Sequence, residues 1–127
     1  MGERRGVAAR PEDRRADEGV PEDDAKLVTL ARGARARADA AEGAAVLDDL
    51  GRSYAAGSVQ LPGLELTAVQ AAVAAAVSSG SRVLDSAAVV TSAAQINAAD
   101  AALLGELGAD RVLVVGLDGS SAVHPAP

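Results

Sequence analysis

At 127 residues, with a formal net charge of −6 and an isoelectric point near 4.6, the chain is one acidic domain's worth of polypeptide, which argues against nucleic acid as a partner. Apolar residues make up 49% of it, yet there is no Phe, no Trp, one Tyr and one Met, so the core must be Ala, Val and Leu and base-stacking platforms are missing. Cysteine is absent and histidine occurs once, which excludes disulfides, thiolate metal sites, Cys nucleophiles and His-paired triads.

From Gly2 to Asp24 five Arg face eight Asp and Glu, with Pro11 and Pro21 and almost nothing apolar larger than Ala. Such a stretch cannot bury enough surface to offset its ordering entropy, so residues 1–24 are expected to be a disordered, removable tail. The first nineteen residues are charged rather than leader-like, and no apolar run reaches the length of a membrane span. A cytoplasmic protein is therefore expected.

Asp23 or Asp24 can cap a helix carrying Leu27, Leu30, Ala31, Ala34 and Ala38 at helical spacing, with Arg32, Arg35 and Arg37 outward, ending near Asp39. Gly43 to Leu47 reads as a small-residue strand, Asp48 to Gly51 as a hairpin turn and Arg52 to Val59 as the return strand. Pro62-Gly63 breaks the chain before a second helix, Leu66 to Ser79, striped by Leu66, Val69, Val73 and Val77 and closed by Gly80. That helix has so little polar surface that it must be buried on several sides. Val83-Leu84 and Ala87 to Thr91 supply a buried strand, Asn97 to Leu107 a third helix, and Arg111 to Gly116 the clearest strand of all. The tail from 119 to 127 frays or adds a short edge strand. A hairpin followed by strand-helix-strand crossovers implies an α/β sandwich around a mixed sheet.

Four segments in this order resemble the small cytidine deaminases. Leu27-Val28-Thr29-Leu30-Ala31-Arg32 is similar to that family's opening helix, and Gly43-Ala44-Ala45-Val46-Leu47 to its Val-Gly-Ala-Ala-Leu strand. Gly51-Arg52-Ser53-Tyr54-Ala55-Ala56-Gly57 resembles its Gly-Arg-x-Tyr-x-Gly strand, and Leu64 to Ala72 the segment written Leu-Thr-x-Cys-Ala-Glu-Arg-Ala-Ala. The likeness covers about residues 26 to 118. It implies a cytidine deaminase-like three-layer α/β/α sandwich over residues 25–118.

In zinc deaminases the metal activates a water that attacks the base while a Glu shuttles protons. The resemblance puts Thr67 at the first ligand position and Val69 at the proton-shuttle position, and sets Asn97 to Asp100 against the family's Cys pair. None of these supplies the usual chemistry, so no catalytic residue, no metal ligand and no cofactor is expected. Asn97 and Asp100 have a sufficient reading as a capping box on the third helix, which outweighs metal binding. The family's ribose-holding Asn-x-Glu-Asn corresponds to Ser58-Val59-Gln60-Leu61, in which Ser58 and Gln60 keep hydrogen-bonding capacity and leave weak nucleoside binding open.

Other candidates have plain readings. His124 is read as a solvent-exposed tail residue, Asp48 and Asp49 as turn residues and Tyr54 as a plug between sheet and helix. The sequence thus favours a pseudoenzyme serving as a binding or assembly module. A divergent nucleoside deaminase of pyrimidine salvage and a non-catalytic nucleoside binder stand as alternatives. The resemblance and the thin Ala/Val core together imply a homodimer or homotetramer with Leu64 to Val77 near the contact.

Overall fold

The computed structural model describes residues 22–119 and 121–125. Its first element is helix α1, Glu22–Ala38, which opens with Glu22, Asp23 and Asp24 in its first turn and closes with Arg35 and Arg37 in its last. Both charge placements suit the helix's exposed N–H and C=O ends. The expected cap at Asp23 or Asp24 is corrected here: both residues lie inside the first turn. Asp24 is buried, because its carboxylate reaches across to the Arg111 guanidinium at 2.6 Å. The helix therefore starts inside the segment expected as tail, and residues 1–21 of that expectation lie outside the described residues.

Strand β1, Gly43–Asp48, turns through Asp49 to Arg52, with Gly51 at φ 84°, into β2, Ser53–Gly57. The return strand is shorter than its apolar pattern suggests. It stops at the rung where the Ser58 N–H still donates to the Glu42 carbonyl but the Glu42 N–H turns to the Ser58 hydroxyl. Two three-residue strands follow, β3 (Val59–Leu61) and β4 (Leu64–Leu66), paired antiparallel as a small sheet of their own. Pro62-Gly63, expected as a simple break, is the turn of this hairpin. Leu66 thus belongs to a strand, and helix α2 is Ala68–Ser78.

Strand β5 runs without interruption over Leu84–Val90, α3 over Ala98–Glu106 and β6 over Arg111–Val115. The C-terminal stretch takes the edge-strand form as β7, Ser121–Pro125. His124 is therefore in a strand, opposite Val112, and not in a frayed tail.

The main sheet has the order β2-β1-β5-β6-β7, with only β5 and β6 parallel. Alternation along the strands sends Ala45, Ala88, Val90, Leu113 and Val115 to Leu27 and Ala31 of α1. Ala44, Val46, Ala87, Val89, Val112 and Val114 go to the other face, under Val69, Ala72, Val73 and Ala76 of α2 and Leu104 of α3. Tyr54 packs partly buried on that second face, as expected. The result is a mixed α/β fold, helices covering both sides of a mixed sheet. Among the described residues no helix is long and apolar enough to cross a membrane.

Candidate functional site

Helices α2 and α3 begin side by side at one end of the sheet, and their caps are bonded to each other. Thr67 precedes α2 in extended conformation, and its hydroxyl accepts from the Gln70 N–H at 3.0 Å while the Gln70 side chain accepts from the Thr67 N–H at 2.9 Å. This reciprocal pair satisfies two orphan donors of the helix start. The same Thr67 hydroxyl donates to Asp100 Oδ1 at 2.9 Å, tying α2 to the first turn of α3. Asn97 caps α3 by accepting the Asp100 N–H at 2.7 Å, and its amide donates to Asp100 Oδ2 at 3.4 Å.

Asp100 is thus the shared acceptor of two helix caps, and only 4% of it is exposed. Burial, with a further contribution from the nearby Glu42 carboxylate, pushes its pKa above the ordinary carboxylate value, against the lowering effect of the bonds from Thr67 and Asn97. Glu42 precedes β1, and β1 begins opposite the last residue of β5 (Gly43 with Val90), which brings Thr91 alongside. The Thr91 hydroxyl donates to Glu42 Oε2 at 2.7 Å. The Glu42 N–H donates to Ser58 Oγ at 3.2 Å, fixing the point where β2 leaves the sheet.

Two cavities open around these groups. One, of about 420 Å³, is lined by Glu42, Ser58, Gln60, Glu65, Thr67, Gln70 and Ser92 among others. The second, of about 400 Å³, is lined by Glu42, Thr91, Gln95, Asn97 and Asp100 among others. Glu42 lines both.

The geometry therefore brings Thr67, Asn97 and Asp100 into one hydrogen-bonded cluster and sets Ser58 and Gln60 on the wall of the cavity that Thr67 borders. Val69 is apart from them: it is 1% exposed within the core cluster beneath α2 and lines neither cavity. The capping-box reading of Asn97 and Asp100 needs amending, because the Asp100 carboxylate is taken by Thr67 and by the Asn97 side chain. The full box is Thr67 with Gln70, a T-x-x-Q spacing that was there to be read. Glu42 and Thr91 lack any local signal, since they lie 49 positions apart. Asp48 is more than a turn residue: it is buried and bonded to Ser81, whereas Asp49 is exposed. Among the described residues no three His, Cys, Asp or Glu side chains come together in a group that could hold a metal ion.

A family model described as cytidine deaminase-like matches residues 20–120. Among solved structures, cytidine deaminase from Burkholderia pseudomallei superposes with a TM-score of 0.71 at 23% identity, covering 80% of this chain and 91% of that one. Cytidine deaminase from Mycobacterium tuberculosis gives 0.61 at 28% identity, covering 74% and 85%. That from Mycobacterium leprae gives 0.58 at 22%, covering 78% and 92%. No curated protein matches the chain.

Proposed function

This chain belongs to the cytidine deaminase-like family, and we propose that within it the chain is a non-catalytic binding module that keeps a nucleoside-sized pocket without the family's zinc chemistry. The observation that carries the reading is the bond from the Thr67 hydroxyl to Asp100. A zinc ion held there would supply an activated water for attack on the base. The donors present are one hydroxyl, one amide and one carboxylate, each already committed to a helix cap or to another of the three. Zinc takes four ligands, mostly thiolate and imidazole, so this set does not fit it. The proton-shuttle position supports the same reading, since an apolar Val69 packed in the core has no proton to exchange.

Purified protein is expected to carry no stoichiometric zinc and to leave cytidine unconverted, while nucleosides raise its melting temperature. Equimolar zinc, together with cytidine turnover that survives repurification, would instead support a divergent nucleoside deaminase. A cytoplasmic location belongs to the same proposal.

Assembly is the second part of the reading. Ala68, Val69, Ala72, Val73 and Ala76 are buried in the subunit's own core, so of the expected Leu64 to Val77 contact region α2 offers only its outer face, with Ala71, Ala74, Ala75 and Val77. The larger exposed side chains of that region lie on the β3–β4 hairpin. Register puts Val59 opposite Leu66 and Leu61 opposite Leu64, all on one face, with Leu61 57% and Leu64 49% exposed. A homodimer or homotetramer through this face is expected. Light scattering across a dilution series should give a multiple of the monomer mass, and Leu61→Glu with Leu64→Glu should reduce it to one. Monomer mass for the unmodified chain at micromolar concentration overturns the assembly.

A further inference from the structure

We propose that Glu42 is the ligand-selecting residue of this pocket, favouring molecules that present an amino or other N–H group and rejecting anions. This rests on the pocket's being a nucleoside-sized binding site, and it names the chemistry that such a site would take.

Four observations converge on Glu42. It is the residue common to both cavity linings, so a ligand of nucleoside size spanning them would pass it. The carboxylate is held in place, because Oε2 accepts the Thr91 hydroxyl at 2.7 Å and the backbone on either side is pinned to Ser58 and to the start of β1. Among the described residues no protein donor reaches its other oxygen, Oε1, so one acceptor is left for a ligand. Finally, neither cavity is lined by any Lys, Arg or His, whereas Glu42, Glu65 and Asp100 all contribute carboxyl groups.

A fixed carboxylate can only accept, so it rewards an N–H donor and penalises a carbonyl oxygen put in the same place. The surrounding acidic wall acts on a phosphate in the same sense, by like-charge repulsion. A bare metal ion is a poorer match than an amino group, since no three ligating side chains gather here among the described residues. Glu42 and Asp100 both line the second cavity, so the two residues border one shared space.

The test is titration calorimetry with cytidine against uridine and adenosine against inosine, pairs that differ by amino for oxo, and with cytidine 5′-monophosphate. The unmodified protein should prefer the amino member of each pair by about tenfold and should bind the monophosphate more weakly than cytidine. Glu42→Gln should shrink the preference to less than about threefold, because an amide can turn a donor toward the oxo group. The Gln side chain still accepts from Thr91, so an unchanged melting temperature confirms that the variant is folded. Binding with the amino preference unaltered in Glu42→Gln, or tighter binding of the monophosphate, overturns the role of Glu42 and leaves the binding-module reading intact. Absence of binding by all five compounds overturns that reading and the selection with it.

Discussion

Gly43→Ala should destabilise the protein by about 3 kcal/mol, at the upper end of what overpacking costs, and lower its melting temperature by roughly 15 °C. At the first residue of β1 the backbone of α1 passes close against the sheet. A Cβ at Gly43 would overlap the Ala31 carbonyl oxygen and lie 2.8 Å from Arg35 Cβ. The obstacle is helix backbone, so relief requires α1 to lift from the sheet, which loosens Leu27 and Ala31 from Ala45, Val90 and Val115. The cross-strand partner of Gly43 is Gly57, where an added Cβ would come within 2.8 Å of Ala38 Cβ, so the two glycines together form the bed of the helix. Gly63→Ala is the matched control, because nothing lies within 4 Å of the Cβ it would add, and it should stay within about 0.5 kcal/mol of the parent. Equal urea midpoints for the two variants would show that α1 does not bear on Gly43.

Asp48→Asn should lower the melting temperature at pH 7 by an amount on the order of 10 °C, with a deficit that narrows in acid. Asp48 has no exposed surface, and its two oxygens take four donors. Ser81 Oγ donates at 2.7 Å and Arg52 Nε at 2.9 Å to Oδ2, while the N–H groups of Arg52 at 2.8 Å and Leu50 at 3.0 Å donate to Oδ1. One carboxylate thereby clasps the β1–β2 turn to the loop that follows α2. The Ser81 bond, and after it those from Arg52 and Leu50, hold its pKa at about 2, below the ordinary 3.8, against the opposing effect of burial. An acid whose pKa is depressed by folding stabilises fully above its unfolded value and loses that contribution as pH falls from 3.8 toward 2. Parent and variant should therefore differ most above pH 5 and converge near pH 2. An amide at this position turns a donor toward Ser81 or Arg52, which already donate, and so cannot restore the clasp. Stability curves that run parallel down to pH 2 would show that the carboxylate's charge plays no part.

Where the sequence was legible, the signal was local. Arg111 to Val115 is a short apolar run after a helix-ending Gly108, and Asn97 stands three residues before an acid, so β6 and the start of α3 could be read directly. The β3–β4 hairpin escaped because three-residue strands give no periodicity, and Leu66 continues the helical stripe of Val69, Val73 and Val77 as readily as it ends a strand. The site divides the same way. Thr67 and Asp100 could be singled out through the family's ligand pattern, although they meet across 33 positions. Glu42 with Thr91 matches no motif, and Asp48 with Ser81 is likewise separated by 33 positions. Such pairs exist only once β1 and β5 lie side by side, a juxtaposition that no window along the chain contains.

The placement of β7 bears on colloidal behaviour. Strand β6 reads Val-Leu-Val-Val from 112 to 115, buried on both faces, which in isolation is an aggregation-prone segment. Its inner edge is taken by β5, and β7 takes the outer one along the whole of 111–115. The strand left at the margin is instead Ser121–Pro125, which ends in a proline without an N–H to offer and carries three polar or ring-constrained residues among its five. The last strand thus acts as a guard rail on this side of the sheet, trading a sticky backbone edge for a reluctant one.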